Sequence, residues 1–287
     1  MSNLPQIKQQ LNSESSIKKF EEMLGKNARA YITSVISSVA SNDSLQQCDP
    51  TSLLLAVGTA ASLNLPVNPN LGFSYIVPYN SKKGKQAQFQ IGYKGLIQLS
   101  QRSGLFKTIN CTEVKEGEIV EHDRLTGKIK FNWLDDQERD KQKVVGYVAY
   151  FELLNGFSKS LYMTMSNIQK HATKFSKSYK SGFGVWKDDF DAMAKKTVIK
   201  LLLSKYAPMT VEIEKAVTFD QSIQQEENEP FYIDNKSEKS YREDIITLLP
   251  TAKIDKVVKD QIIADLGGYS DDQLKEHLEY LKEKQNG

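Results

Sequence analysis

Between Lys174 and Lys187, four lysines (Lys174, Lys177, Lys180 and Lys187) alternate with Phe175, Tyr179, Phe183 and Trp186 in a Ser/Gly-rich stretch. Ammonium groups at such spacing neutralise phosphates, and flat rings between them stack on bases of any identity. The pattern suits a single-stranded polynucleotide, and equally an exposed loop ahead of an ordinary amphipathic helix. From about Phe190 the period becomes helical, with Phe190, Met193, Ala194, Val198, Leu201 and Leu202 as a core-facing stripe. Lys196 and Lys200, four apart, project together from another face, beside Lys195. Lys205 falls on the apolar side.

A second polar set lies upstream. Gln86 to Ile91 alternates strictly, so Ala87, Phe89 and Ile91 face a core and Gln88 and Gln90 face away from it. The following GYKGLIQLSQRSG turns into a short helix on which Lys94, Gln98, Gln101 and Arg102 share one face, opposite Leu96 and Leu99. That face is either solvated surface or the continuation of a hydrogen-bonding, cationic wall.

Catalytic patterns are sparse. The chain has no GxxxxGK[ST] phosphate loop, which argues against ATP use. His122, His171 and His277 occur in separate segments, none at zinc spacing with another His or a Cys. Glu113-Val114-Lys115 mimics the end of a metal-dependent nuclease site, but the carboxylate that would complete it is missing; the nearest upstream acid, Asp49, reads as a helix cap. Asp188, Asp189 and Asp191 fit the N-terminus of the lysine-bearing helix, where they complement its dipole.

Net charge over 287 residues is only +2, with 38 Lys+Arg against 36 Asp+Glu. The distribution is uneven: from Asp220 onward there are 9 Lys+Arg against 16 Asp+Glu, leaving 29 against 20 before it. A basic body with an acidic appendage implies a polyanionic partner for the body. Cys48 and Cys111 stand outside any ligand spacing, as expected for reduced thiols of an intracellular protein. No segment approaches the roughly 20 apolar residues of a membrane span, and the N-terminus lacks an apolar signal core.

In chain order, residues 1–14 are polar and Gln-rich and read as a disordered arm. Helices follow at Ile17 to Leu24 and Ala28 to Val39. Another, capped by Asp49-Pro50, runs through the nearly apolar Leu53 to Leu65. Strands are expected at Phe73 to Tyr79 and Gln86 to Ile91, then from Leu105 to Met165, with Asn155-Gly156 as a hairpin turn and Asp135 to Gln142 as a charged loop. Ser166 with Gln169 reads as a capping box starting a helix near Asn167. This order of helices, one antiparallel sheet of five or six strands, and helices is an α+β body over residues 15–217. An acidic linker over 218–235 leads to a small helical domain over 236–287.

Three features resemble the RecT/Redβ family of phage-type single-strand annealing proteins, the RecT branch above all. They are the strand-to-helix string FQIGYKGLIQLSQRSG, the tryptophan before a Lys-rich helix in WKDDFDAMAKKTVIKLLLSKY, and the detachable acidic C-terminal part. The resemblance spans roughly Asp49 to Pro208. It implies an antiparallel sheet flanked by helices with a basic DNA groove, of the Rad52-like kind. It also implies a non-hydrolytic, ATP-independent recombinase needing no cofactor, which binds single-stranded DNA as a ring or helical filament and pairs a complementary strand. The implied partners are further copies of the chain, the host single-strand binding protein and a phage exonuclease, in the bacterial cytoplasm. Carried over by motif, Tyr93, Lys94, Arg102, Trp186, Lys195, Lys196 and Lys200 become DNA-binding residues, beside Gln88, Gln90, Gln98, Lys174, Lys177, Lys180 and Lys187 from the patterns above. A non-annealing protective protein and a metal-dependent nuclease remain the alternatives.

Overall fold

The computed structural model describes residues 2–81, 84–176, 179–180, 185–224, 230–232, 238–252, 254–269 and 271–286. Lys177 and Phe183 of the opening pattern lie outside them. Helices α1 (Leu4–Leu11), α2 (Glu14–Leu24), α3 (Ala28–Ala40), the short α4 (Asp43–Gln46) and α5 (Pro50–Ser62) come first. The expected disordered arm is corrected here. Ile7 and Leu11 are each 1% exposed in the main core, because Leu4, Ile7 and Leu11 recur at helical spacing despite the glutamines around them.

Helix α5 starts as its sequence predicts. Asp49 accepts a hydrogen bond from Ser52 N at 2.8 Å, with Pro50 in the first turn. Its apolar residues Leu53, Ala56, Val57, Ala60 and Ala61 are buried, and Ser52 Oγ accepts from Ala87 N at 2.9 Å, fastening the helix to the sheet.

The hairpin β1 (Ser74–Ser81) and β2 (Gly84–Ile91) pairs antiparallel from Ser74↔Ile91 to Ser81↔Gly84. Helix α6 (Tyr93–Arg102) follows. Strands β3 (Phe106–Lys115), β6 (Val144–Leu153) and β7 (Ser158–Thr164) form a second antiparallel sheet in the order β3-β6-β7. A small pair, β4 (Ile119–His122) and β5 (Ile129–Phe131), forms a third. The single sheet of the sequence reading is therefore divided, since α6 turns the chain away between β2 and β3. The charged loop contains a short helix, α7 (Asp136–Arg139), and Asn155-Gly156 turns the β6–β7 hairpin with Gly156 at φ 86°.

Helix α8 (Met165–Phe175) begins two residues earlier than expected: its cap is Thr164 in place of Ser166, and it accepts from Asn167 N at 3.2 Å. Then come α9 (Val185–Asp188), the 17-residue α10 (Phe190–Tyr206) and α11 (Val211–Phe219). Lys205, expected on the apolar side of α10, is exposed. The expected linker begins inside this unit, because Asp220 and Ser222 are each 2% exposed. Strands β8 (Ser222–Gln224) and β9 (Pro230–Tyr232) extend the first sheet in the order β1-β2-β8-β9. The chain divides into two compact units between Phe231 and Tyr232. The second contains α12 (Glu238–Leu248), α13 (Lys256–Asp265) and α14 (Asp271–Asn286), with Ile245, Leu249, Ile262, Leu274 and Leu281 in its own core.

Because Ile7 fills a packed site, Ile7→Ala is expected to lower stability by about 2–5 kcal/mol in urea unfolding. A midpoint equal to wild type would mean that α1 contributes nothing to the core.

Candidate nucleic-acid interface

The G-Y-K-G string owes its glycines to a backbone crossing. A Cβ on Gly92 would stand 2.1 Å from Gly72 O, and one on Gly95 would stand 2.2 Å from Phe73 O. Only glycine at both places lets residues 72–73 run against the first turn of α6. That crossing presents the residues between. A Cβ on Gly72 would meet Tyr75 Oη at 3.3 Å and Lys94 Cδ at 3.4 Å, so both side chains converge there, with Lys94 exposed. Burial, then the Asp189 carboxylate and Tyr93, raise the Tyr75 hydroxyl above its ordinary pKa.

Tyr93 faces α10 from this crossing, with Lys195 Nζ 6.0 Å from its ring centroid. Lys195 is held at 2.8 Å by Asp191, one turn earlier, and at 3.3 Å by Glu113 of β3. Burial pulls the Lys195 pKa down, but the two carboxylates leave it above its usual value. Burial would also raise Glu113; its own backbone N–H, Lys195 and Arg139 hold it below the ordinary carboxylate range. Glu113 is thus paired with two cationic side chains of the chain. Asp189 caps α10 by accepting from Ala192 N at 3.0 Å, the helix-terminal role expected of that acidic cluster.

The middle of α10 is organised differently. Lys196 Nζ and Lys200 Nζ each lie 2.7 Å from Asp220, one on each carboxylate oxygen, and Asp220 Oδ1 also accepts from Ile91 N of β2 at 3.2 Å. Lys196 is 5% exposed. The two lysines do project together, but inward onto a carboxylate. Burial would raise the Asp220 pKa, and the paired ammonium groups lower it below the ordinary value. Lys196 is pulled down by burial against the attraction of Asp220. Lys196, expected as a DNA contact, is one partner of a buried ion pair. No local pattern reveals Asp220, which lies 24 residues away in a stretch that reads as linker.

Three further residues are placed elsewhere than expected. Gln88 is 2% exposed, because β2 is covered on both faces instead of one. Trp186 is 5% exposed and meets Tyr179 and Phe190 edge-on at 5.5 and 5.4 Å, so it anchors the aromatic segment. Arg102 is exposed on α6, yet it donates to Leu63 O and Asn64 O, satisfying carbonyls at the end of α5. Gln90 and Gln98 are half-buried. Lys174, Lys180 and Lys187 are exposed, and Lys180 and Lys187 adjoin Tyr179 and Trp186 in sequence. His171 of α8 lies near Lys174 and Lys200; burial first, and then those two cations, lower its pKa.

The outcome is an α+β body with cations displayed at the α6 crossing and along the α8–α9 segment. A family model described as the RecT family matches residues 29–233. The uncharacterized protein YqaK of Bacillus subtilis strain 168 is 48% identical over 207 residues, covering 72% of this chain and 69% of that protein. The protein RecT of Escherichia coli strain K12 is 31% identical over 201 residues, covering 66% of this chain and 68% of that one. The chain belongs to the RecT family, a family of DNA-binding proteins that act in recombination by single-strand annealing.

Removing Asp220 leaves a buried lysine unpaired, so Asp220→Asn is expected to cost about 3–5 kcal/mol at neutral pH. The contribution of Asp220 is fully present above the unfolded carboxylate pKa of about 3.9 and is lost as pH falls through its lower folded value. Urea unfolding at pH 7 and near pH 3 should therefore show variant and wild type converging in acid. A gap that stays constant with pH would remove the carboxylate from the account.

Proposed function

We propose that the protein is an ATP-independent single-strand annealing protein. It binds one DNA strand by its backbone, as an oligomer, and pairs a complementary strand against it. The family match over residues 29–233 carries this reading, since that span includes the α6 crossing and α10. The display of Lys94, Lys174, Lys180 and Lys187 at the surface supports it: these are backbone contacts, which position a strand without reading its bases. An annealing protein must serve any sequence and leave the Watson–Crick edges open, and point charges from lysine meet that requirement. Pairing then supplies about 1.4 kcal/mol per base step, so no nucleotide hydrolysis is needed. Each copy grips few nucleotides, and side-by-side assembly into a ring or filament raises the effective concentration that holds the strand.

Tyr93 and Lys195 lie at the edge of the proposed path. Lys196 and Trp186 shape it from within: the first fixes α10 to β2 through Asp220, and the second seats the lysine-bearing segment. The acidic second unit is the proposed docking part for the host single-strand binding protein, with a strand-generating exonuclease as the companion activity.

Replacing Lys94, Lys174 and Lys180 together by Ala should weaken binding to all single strands alike. It should also flatten the log–log salt dependence by about two, at roughly 0.7 per lost phosphate contact. An unchanged slope would place the strand elsewhere. Mixed complementary fluorescent oligonucleotides should pair faster with wild-type protein than alone. Strands that are bound but pair no faster would leave a protective protein instead.

A chain ending at Phe231 should still anneal bare strands yet fail on strands coated with the host single-strand binding protein. Equal activity on coated strands would rule out the docking role. Ending the chain at Val217 is expected to destabilise the body, because it strips Asp220 from Lys196.

A further inference from the structure

Cations also gather at the far end of α10. Tyr206 is the last residue of that helix. Lys159 Nζ, from β7, stands 4.9 Å from its ring centroid, and Lys205 Nζ stands 5.1 Å from it. The two ammonium groups are therefore no further apart than the sum of those distances. Among the described residues neither forms an ion pair, and Lys205 is exposed. Lys159 also donates to Thr126 O at the tip of the β4–β5 hairpin, which carries the exposed Arg124 and Lys128 beside it. The acid of that tip, Asp123, uses both oxygens within its own turn, accepting from Leu125 N and Thr126 Oγ1. Two ammonium groups thus flank one half-buried ring, and the hairpin tip that Lys159 reaches adds two exposed cations.

We propose that this cluster is a second phosphodiester-binding site, which receives the backbone of the incoming complementary strand. The proposal rests on the annealing function above and assigns a place to its second substrate. A strand arriving at a protein already coated with DNA meets negative charge, and a separate cationic patch offsets that repulsion and steers the approach. Helix α10 sets the spacing: Lys195, beside Tyr93, and Lys205 are ten residues apart, which at 1.5 Å per residue is about 15 Å along the helix. The two backbones of a forming duplex lie across grooves about 6 and 12 Å wide, a separation of the same order. Tyr206 serves the site by holding both ammonium groups through its ring face, so the charges are placed before DNA arrives.

Full-length Lys205→Glu and Lys205→Arg test this, because Lys205 is exposed and its charge can be changed without opening the core. Two quantities are measured: affinity for a fluorescent single strand, and the rate at which the preformed protein–strand complex takes up the complement. Lys205→Glu should bind the first strand within about twofold of wild type but take up the complement about tenfold more slowly, with the defect growing at low salt. Lys205→Arg should restore the rate. Uptake by Lys205→Glu equal to that of an actively annealing wild type overturns the site alone. So does a fall in first-strand affinity that matches the fall in rate, which would put Lys205 in the first strand's path. A wild type that holds one strand and never accelerates uptake of the other overturns the annealing function together with the site.

Discussion

The Asp220 carboxylate ties together three parts of the chain that are far apart in sequence. It takes Lys196 and Lys200 from α10 and the Ile91 amide from the strand that leads into α6. A carboxylate this deeply buried is tolerable only when its charge is matched and its lone pairs are filled. Both conditions are met, so α10 is fixed against β2, and the Tyr93 and Lys94 turn one residue beyond Gly92 is fixed with it. The relative placement of the displayed cations depends on this inward-facing cluster.

A division of labour follows for the lysines. Those that look alike along α10 do different work: Lys196 and Lys200 turn to Asp220, Lys195 to Asp191 and Glu113, and Lys205 to the Tyr206 ring. The exposed cations are on the flanks, on α6, on the segment around Trp186 and at the helix end. Such an arrangement keeps polyanion contacts on side chains that can move, while the helix between them stays rigid.

Much of the fold was legible because local periodicity and capping decide it. Asp49-Pro50 starts α5, Asn155-Gly156 turns a hairpin, and the alternation of Ala87, Phe89 and Ile91 gives the buried face of β2, all from rules that act over a few residues. Helix α1 was missed, because its glutamines masked the Leu4, Ile7 and Leu11 spacing. The site was less legible, since burial of a polar residue is decided by what packs on it from afar. Gln88 is covered by a layer that alternation cannot predict. Lys196 is buried by a partner 24 residues on. Trp186 packs inward although it lies in a stretch rich in serine, glycine and lysine. Glycines Gly92 and Gly95 sat in the motif that carried the family resemblance, yet their reason, the crossing of residues 72–73, appears only in three dimensions.

Lysine reactivity separates the displayed cations from the internal one most directly. Brief acetylation of the folded protein, read residue by residue with mass spectrometry, should modify Lys94, Lys174 and Lys180 in the free protein and protect them when single-stranded DNA is bound. Lys196 should stay unmodified in both states. Lys196 that reacts freely alone and becomes shielded by DNA would contradict the account, because it would mean that the Asp220 pair opens to the strand.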